Sequence, residues 1–244
     1  SRLRSFWFFQ RHQYSSYSVV NVIDISDPKG KISTHARFQI QGLIDDQFKQ
    51  HYLYDRKRKQ GLYLGIVRNR SWRSGWLWSG GSQVSNQLVS VDVSQKGKPK
   101  LLNSLTFGKA HETVRGSIFD KKRQVVYAIT AIQRDPLYVL SFRTPDKLKI
   151  LSAVDGLSGD INLFRPIEGG QFLLAVGRDD SASCTGFGTD RRSWGSRTAV
   201  SIIDVRNLRK IRLVQRKCIN IKSRGWSFSS VNSNRDQAHK MVGL

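Results

Sequence analysis

The residues with the most chemistry in them are few: five histidines, two cysteines, and tryptophans set among arginines. His51, His111 in "AHETVR" and His239 in "DQAHK" precede similar apolar stretches, so they could gather at one place. A structural or catalytic metal needs two or three such ligands within reach of each other. No His-x-x-x-His or Cys-x-x-Cys spacing occurs, so no metal site and no cofactor is expected. The repeated Ala-His pair has a simpler reading as a structural position. Signals for nucleophilic or phosphoryl chemistry are equally thin. There is no Gly-x-Ser-x-Gly, no phosphate-binding loop, no dinucleotide fingerprint and no calcium loop. "GLSGD" (156–160) resembles a nucleophile elbow only superficially. Asp45–Asp46 and Asp179–Asp180 are adjacent in the chain, and neighbouring strand residues point apart, so neither makes a catalytic dyad. The expectation is a protein that is not an enzyme. The remaining enzymatic reading is an axial site near His111 and His239.

Charge points elsewhere. The 244 residues carry 41 Lys and Arg against 18 Asp and Glu, a formal net charge of +23. Such a surface attracts polyanions, whether nucleic acid, anionic lipid or acidic glycan. With 39% hydrophobic residues the chain has ample material for a core. No apolar run approaches the roughly 20 residues that span a bilayer as a helix.

The elements that must position these groups are written as repeats. "VVNVIDISDPKG" (19–30) returns as "QLVSVDVSQKGKPKLL", "PLYVLSFRTPDKLKIL" and "AVSIIDVRNLRKIRLV". A second unit recurs as "HYLYDRKRKQGLYLGIV", "RGSIFDKKRQVVYAITA" and, more loosely, "INLFRPIEGGQFLLAVG". Joined, the two give four strands, here named a to d. The clearest copy reads "RGSIF", "VVYAIT", "LYVLSF" and "LKILSAV", with turns "DKKRQ", "QRDP" and "RTPDK" between them. Strand residues are Val, Ile, Leu, Tyr and Phe; turn residues are Gly, Asp, Pro and Lys. Four-strand units at a period of roughly 45–65 residues predict an all-β fold, a β-propeller of antiparallel four-stranded blades. An ordinary β-sandwich would not repeat whole units with the same turn chemistry. About four blades' worth is present across 18–244, entering one blade at its c strand and leaving another at "QAHKMVGL". The stretch 1–17, with "FWFF", is not placed by the pattern. Open ends would leave unpaired strand edges, so a segment of a larger propeller is expected.

These strings resemble the exported bacterial and archaeal β-propeller family distantly related to WD repeats. The resemblance is carried by "VVNVIDISDP", "SIFDKKRQVVYAITAIQRDPLYVLSF" and "FLLAVGRDD" with "VSIIDVRNL", and most specifically by Asp135 to Val139 and Val176 to Asp179. It implies an exported location, periplasmic or at the cell surface, and a propeller longer than this chain. It implies no catalytic residues.

Because successive strands run antiparallel, the a–b and c–d turns share one end of the blades and the b–c and d–a connections share the other. The first end collects Lys96, Lys98, Arg56, Lys57, Arg58 and Lys59. Lys121, Lys122 and Arg123 join them, with further lysines beside. These are predicted to form a basic docking face, though exposed turns favour lysine in any case. The second end carries two long b–c loops, 69–86 and 179–198. Trp72, Trp76 and Trp78 lie on one, Arg191 and Trp194 on the other. Tryptophan with arginine anchors interfaces and stacks on sugars or bases, and can equally fold back as a lid. Cys184 in the fourth b–c loop and Cys218 at the end of the same blade's d strand rise to the same end. A disulfide is expected there, the alternative being two buried thiols. Together these features predict a binding module for a protein or envelope partner. The alternative is a polyanion or glycan binder using the basic face and the Trp loops.

Overall fold

The computed structural model describes residues 16–56, 58–73, 81–131, 135–157, 161–178 and 198–219. Among them are fourteen strands. Three sheets have four strands each. They comprise β3 (Gln50–Asp55), β4 (Gln60–Arg73), β5 (Gly81–Asp92) and β6 (Lys100–Phe107); β7 (Thr113–Asp120), β8 (Val125–Ala131), β9 (Asp135–Ser141) and β10 (Lys149–Leu157); and β11 (Ile161–Ile167), β12 (Phe172–Arg178), β13 (Thr198–Asp204) and β14 (Arg212–Ile219). Each is an antiparallel meander in chain order. A two-stranded sheet of β1 (Tyr17–Asp24) and β2 (Ser33–Gln41) precedes them, in the place of a c–d pair. The fold is a β-propeller, as the period requires.

Burial explains why the central strands read as continuous apolar runs. In β8, Val126 and Ala128 pack towards the sheet before, in a core with Leu62, Leu64, Leu88 and Leu140. The alternate residues Val125, Tyr127 and Ile129 pack towards the sheet after, with Leu173, Ala175 and Ile203. Both faces of the strand are covered, so period-2 alternation vanishes from its sequence. A third core joins β1–β2 to the next sheet through Val20, Ala36 and Ile40 against Tyr63, Val67 and Val91. Core therefore lies between blades, and no blade could hold its shape alone.

The repeated Asp at the end of the c strands has a local cause. The Asp24 carboxylate accepts the Ser26 amide at 3.0 Å and its hydroxyl at 2.7 Å. Asp92 does the same with Ser94, at 2.8 and 2.5 Å. Asp204 accepts the Arg206 amide at 3.0 Å. In the third blade Ser141 takes the place of Asp, its hydroxyl accepting the Arg143 amide at 3.3 Å. Each is an Asx-type turn that stops the strand and starts the c–d connection. The following residue then closes the sheet. The amides of Val93, Phe142 and Val205 donate to the carbonyls of Gly61, Gln124 and Gln171.

The first long b–c loop differs from expectation. Residues 69–73 and 81–86 are strand, paired from Asn69–Ser85 out to Arg73–Gly81. Their sequence, "NRSWR" against "GSQVSN", is polar. Val84 and Asn86 at the base of this hairpin are buried, and beyond them the ladder continues through backbone pairing.

Candidate functional site

The two ends of the blades handle charge differently. At the d–a end before β3 the acids face basic side chains. The Asp45 carboxylate accepts Arg68 Nη2 at 2.7 Å and Lys49 Nζ at 3.1 Å, and Asp46 lies 3.2 Å from the same ammonium. Lys49 is buried. At the a–b/c–d end the acids are engaged by their own turns, through backbone amides and the arginines Arg58, Arg123, Arg206 and Arg212. Asp24, Asp92 and Asp204 cap their own turns. Asp55 and Asp120 accept the amides of Arg58 and Arg123 at 3.2 and 3.0 Å.

Those arginines carry a repeated device. Arg58 Nη2 donates to the Arg143 carbonyl at 3.0 Å, from the a–b turn of the second blade to the c–d turn of the third. Arg123 Nη1 donates to the Val205 carbonyl at 2.6 Å, from the third blade to the fourth. Arg123 also donates to the Tyr127 hydroxyl at 3.3 Å. The type and spacing that make Asp-x-x-Arg a basic turn thus also make it a clamp between blades. Lys59 and Gln124, which follow the two arginines, both take positive φ, 51° and 57°, to close these hairpins.

What remains outward is mostly lysine. Lys29, Lys31, Lys96, Lys98, Lys121 and Lys122 are exposed, as are Arg56, Lys59, Lys147, Arg209 and Lys210. None makes a salt bridge to an acid among the described residues, although Lys96 lies near enough to Asp24 to help lower its carboxyl. Lys57 lies outside the described residues. The carboxylates beneath this layer are held ionised. Hydrogen bonds from the Arg206 side chain and amide, with Arg212 beyond, hold Asp204 well below the usual carboxylate range. The Ser26 hydroxyl and amide lower Asp24. Burial pushes Asp92 up, but the Ser94 hydroxyl and amide and the Gln60 amide outweigh it. The arrangement is a rim whose negative charges are spent on turns and whose positive charges face solvent.

A family model described as "Beta propeller domain" matches residues 4–236. The chain belongs to that family. Among solved structures it is similar to a "putative 6-phosphogluconolactonase" from Bacteroides fragilis NCTC 9343. The identity is 10% and the TM-score 0.40, over 86% of this chain and 67% of that one. No curated protein matches the chain.

In this propeller the other predicted residues are scattered. Trp72 is on β4 with its backbone opposite Ser82. Trp76, Trp78, Arg191 and Trp194 lie outside the described residues, as does the end of the chain with His239. His111 sits in the d–a connection before β7 at φ 71°, its amide donating to the Val84 carbonyl at 2.9 Å. His51 is within β3 and stacks on Phe119 of the next blade, with ring centroids 5.3 Å apart. Burial first, and Lys121 second, keep its imidazole below the usual histidine range. Among the described residues no three metal-ligating side chains gather. Nor is any helix long and apolar enough to cross a membrane. Cys218 is on β14 opposite Ala199, and its predicted partner Cys184 lies outside the described residues.

Sequence reading did not find the buried node between the second and third blades. Glu112 is 3% exposed and accepts the Lys109 amide at 2.9 Å and the Thr130 hydroxyl at 2.7 Å. Asn86 donates to its carbonyl at 2.9 Å. The only hint was Glu immediately after the repeated Ala-His pair, in a turn where a solvated acid would be unremarkable.

Proposed function

We propose that this propeller is an exported, non-enzymatic binding module that docks on a partner in the cell envelope through its a–b/c–d rim. One observation carries the reading: at this end the acids are consumed by turns and clamps while the lysines are left unpaired. At the opposite end Asp45 and Asp46 balance Lys49 and Arg68. Unpaired charge on one end of a rigid scaffold orients encounter with an oppositely charged surface and raises its rate. The Trp loops and a Cys184–Cys218 disulfide belong to the same reading, the first as a second contact and the second as a staple suited to an oxidising compartment.

The test is binding of the purified protein to anionic polymers, envelope glycans and solubilised envelope fractions at low and moderate salt. Binding is expected to weaken steeply with salt and to be lost when Arg56, Lys59, Lys121 and Lys122 are changed to Gln together. Binding that ignores both salt and these substitutions would move the docking face to the other end.

A further inference from the structure

The charge on the rim is not smeared evenly. Each arginine clamp pins the a–b turn of one blade against the c–d turn of the next. At the first junction this brings the turn that carries Arg56 and Lys59 against the turn that carries Arg143 and Lys147, all four exposed. At the second it brings the turn that carries Lys121 and Lys122 against the turn that carries Arg209 and Lys210. Within the described residues of these turns, Asp146 is the one exposed acid. Asp55 and Asp120, at the strand ends, are occupied by the Arg58 and Arg123 amides. The clamp thus produces the same unit twice: four cations from two blades, held by a hydrogen bond that uses none of them as a side-chain donor.

We propose that each clamped junction is an anion subsite, and that successive junctions are bridged by one linear polymer with a phosphate in every repeat unit. The proposal rests on the rim being the docking face. Both cation types in these units suit phosphate, the lysines as point charges and Arg56, Arg143 and Arg209 as planar forks. The forks of Arg58 and Arg123 are engaged by carbonyls of the next blade and that of Arg206 by Asp204, although Arg58 and Arg206 stay half exposed. A lipid surface fits less well. The two junction turns bury their apolar residues, Phe142, Leu148, Val205 and Ile211; the exposed apolar residues of this end, Ile25 and Ile32, lie at the first blade's c–d turn, away from both junctions. Repetition of the subsite makes binding multivalent. A chain long enough to reach the second junction binds it at high effective concentration.

The experiment compares long-chain inorganic polyphosphate with tripolyphosphate by titration calorimetry at low salt. The long chain is expected to bind about 10²-fold more tightly per protein. Lys121→Gln with Lys122→Gln, or Arg56→Gln with Lys59→Gln, should each remove most of that advantage and leave tripolyphosphate binding about twofold weaker. All four together should abolish both. Circular dichroism of each variant confirms that the fold is kept, and Arg70→Gln at the other end should change nothing. Equal affinity for the two polymers, or a long-chain advantage that survives the fourfold variant, overturns the junction subsites. The docking reading still stands if envelope fractions bind. Binding to phosphatidylglycerol vesicles without binding to polyphosphate overturns the polymer in favour of a membrane. If polymer, vesicles and envelope fractions all fail to bind, the docking reading falls with it.

Discussion

The two ends of the blades use the same residue types to opposite effect. At the d–a end, Asp45 and Asp46 bracket Lys49, and Arg68 closes the group; the charges cancel and the lysine is buried. At the a–b/c–d end, aspartates accept backbone amides and pair with arginines of their own turns, Arg58, Arg123, Arg206 and Arg212, so their charge goes to arginine and not to the rim lysines. The difference teaches that net charge alone does not say which cations are left free. What matters is which acids the backbone has already claimed. A carboxylate that accepts two hydrogen bonds from its own turn stays charged but is directed inward, while a lysine on the same turn keeps its head in water.

Four substitutions sharpen or break that comparison, beginning with the largest effect. Arg123 is 23% exposed at its side chain and makes two hydrogen bonds, one across the blade junction. Arg123→Ala should cost about 2–3 kcal/mol in urea unfolding. The equivalent Arg58 is 45% exposed with one such bond, and Arg58→Ala should cost about 1 kcal/mol or less. Equal losses would mean that burial does not set the worth of the clamp. At the other end, Lys49→Met keeps the stem but leaves Asp45 and Asp46 without their shared ammonium. Both acids are partly solvated, which lowers the penalty below that of a fully buried pair, so the expected loss is about 1–2 kcal/mol. Lys121→Gln on the rim should stay within about 0.5 kcal/mol, since nothing in the fold uses its charge. A larger loss there would mean that the rim lysines are structural.

The smallest effect is a pH dependence. Asp204 titrates in the folded protein below its unfolded value of about 3.9, so its contribution is present in full above that pH. It is lost as the pH falls from about 4 through the folded value, because the unfolded chain then binds the proton more readily. Asp204→Asn should therefore lower stability at neutral pH and flatten the acid limb of the stability curve. An unchanged acid limb would show that Arg206 and Arg212 are spectators. Asp24→Asn, whose turn lacks arginine side chains, should flatten it less.

Much of the fold was legible because the repeat is local. Asp or Ser at the end of each c strand, one apolar residue and then a polar residue whose amide it accepts encode the turn through hydrogen bonds that span two residues. The b–c hairpin at 69–86 was less legible. "NRSWR" has the composition of a loop, yet it is strand because its partner "GSQVSN" continues the ladder. The roles of Arg58 and Arg123 were not legible at all. Both stood among nine residues read as a basic docking face, and nothing local separates them from Arg56 or Lys122. Their carbonyl partners lie 85 and 82 residues away.

The sequence by itself determined the blades. Period, strand composition and turn chemistry all act over fewer than about ten residues, where backbone geometry and local hydrogen bonds dominate. It also determined the sign of the rim, since antiparallel strands force a–b and c–d turns to one end. Only the tertiary structure decided which of those cations are spent and which are free. That choice depends on the carbonyls and carboxylates that neighbouring blades bring within about 3 Å, a distance over which a hydrogen bond either exists or does not.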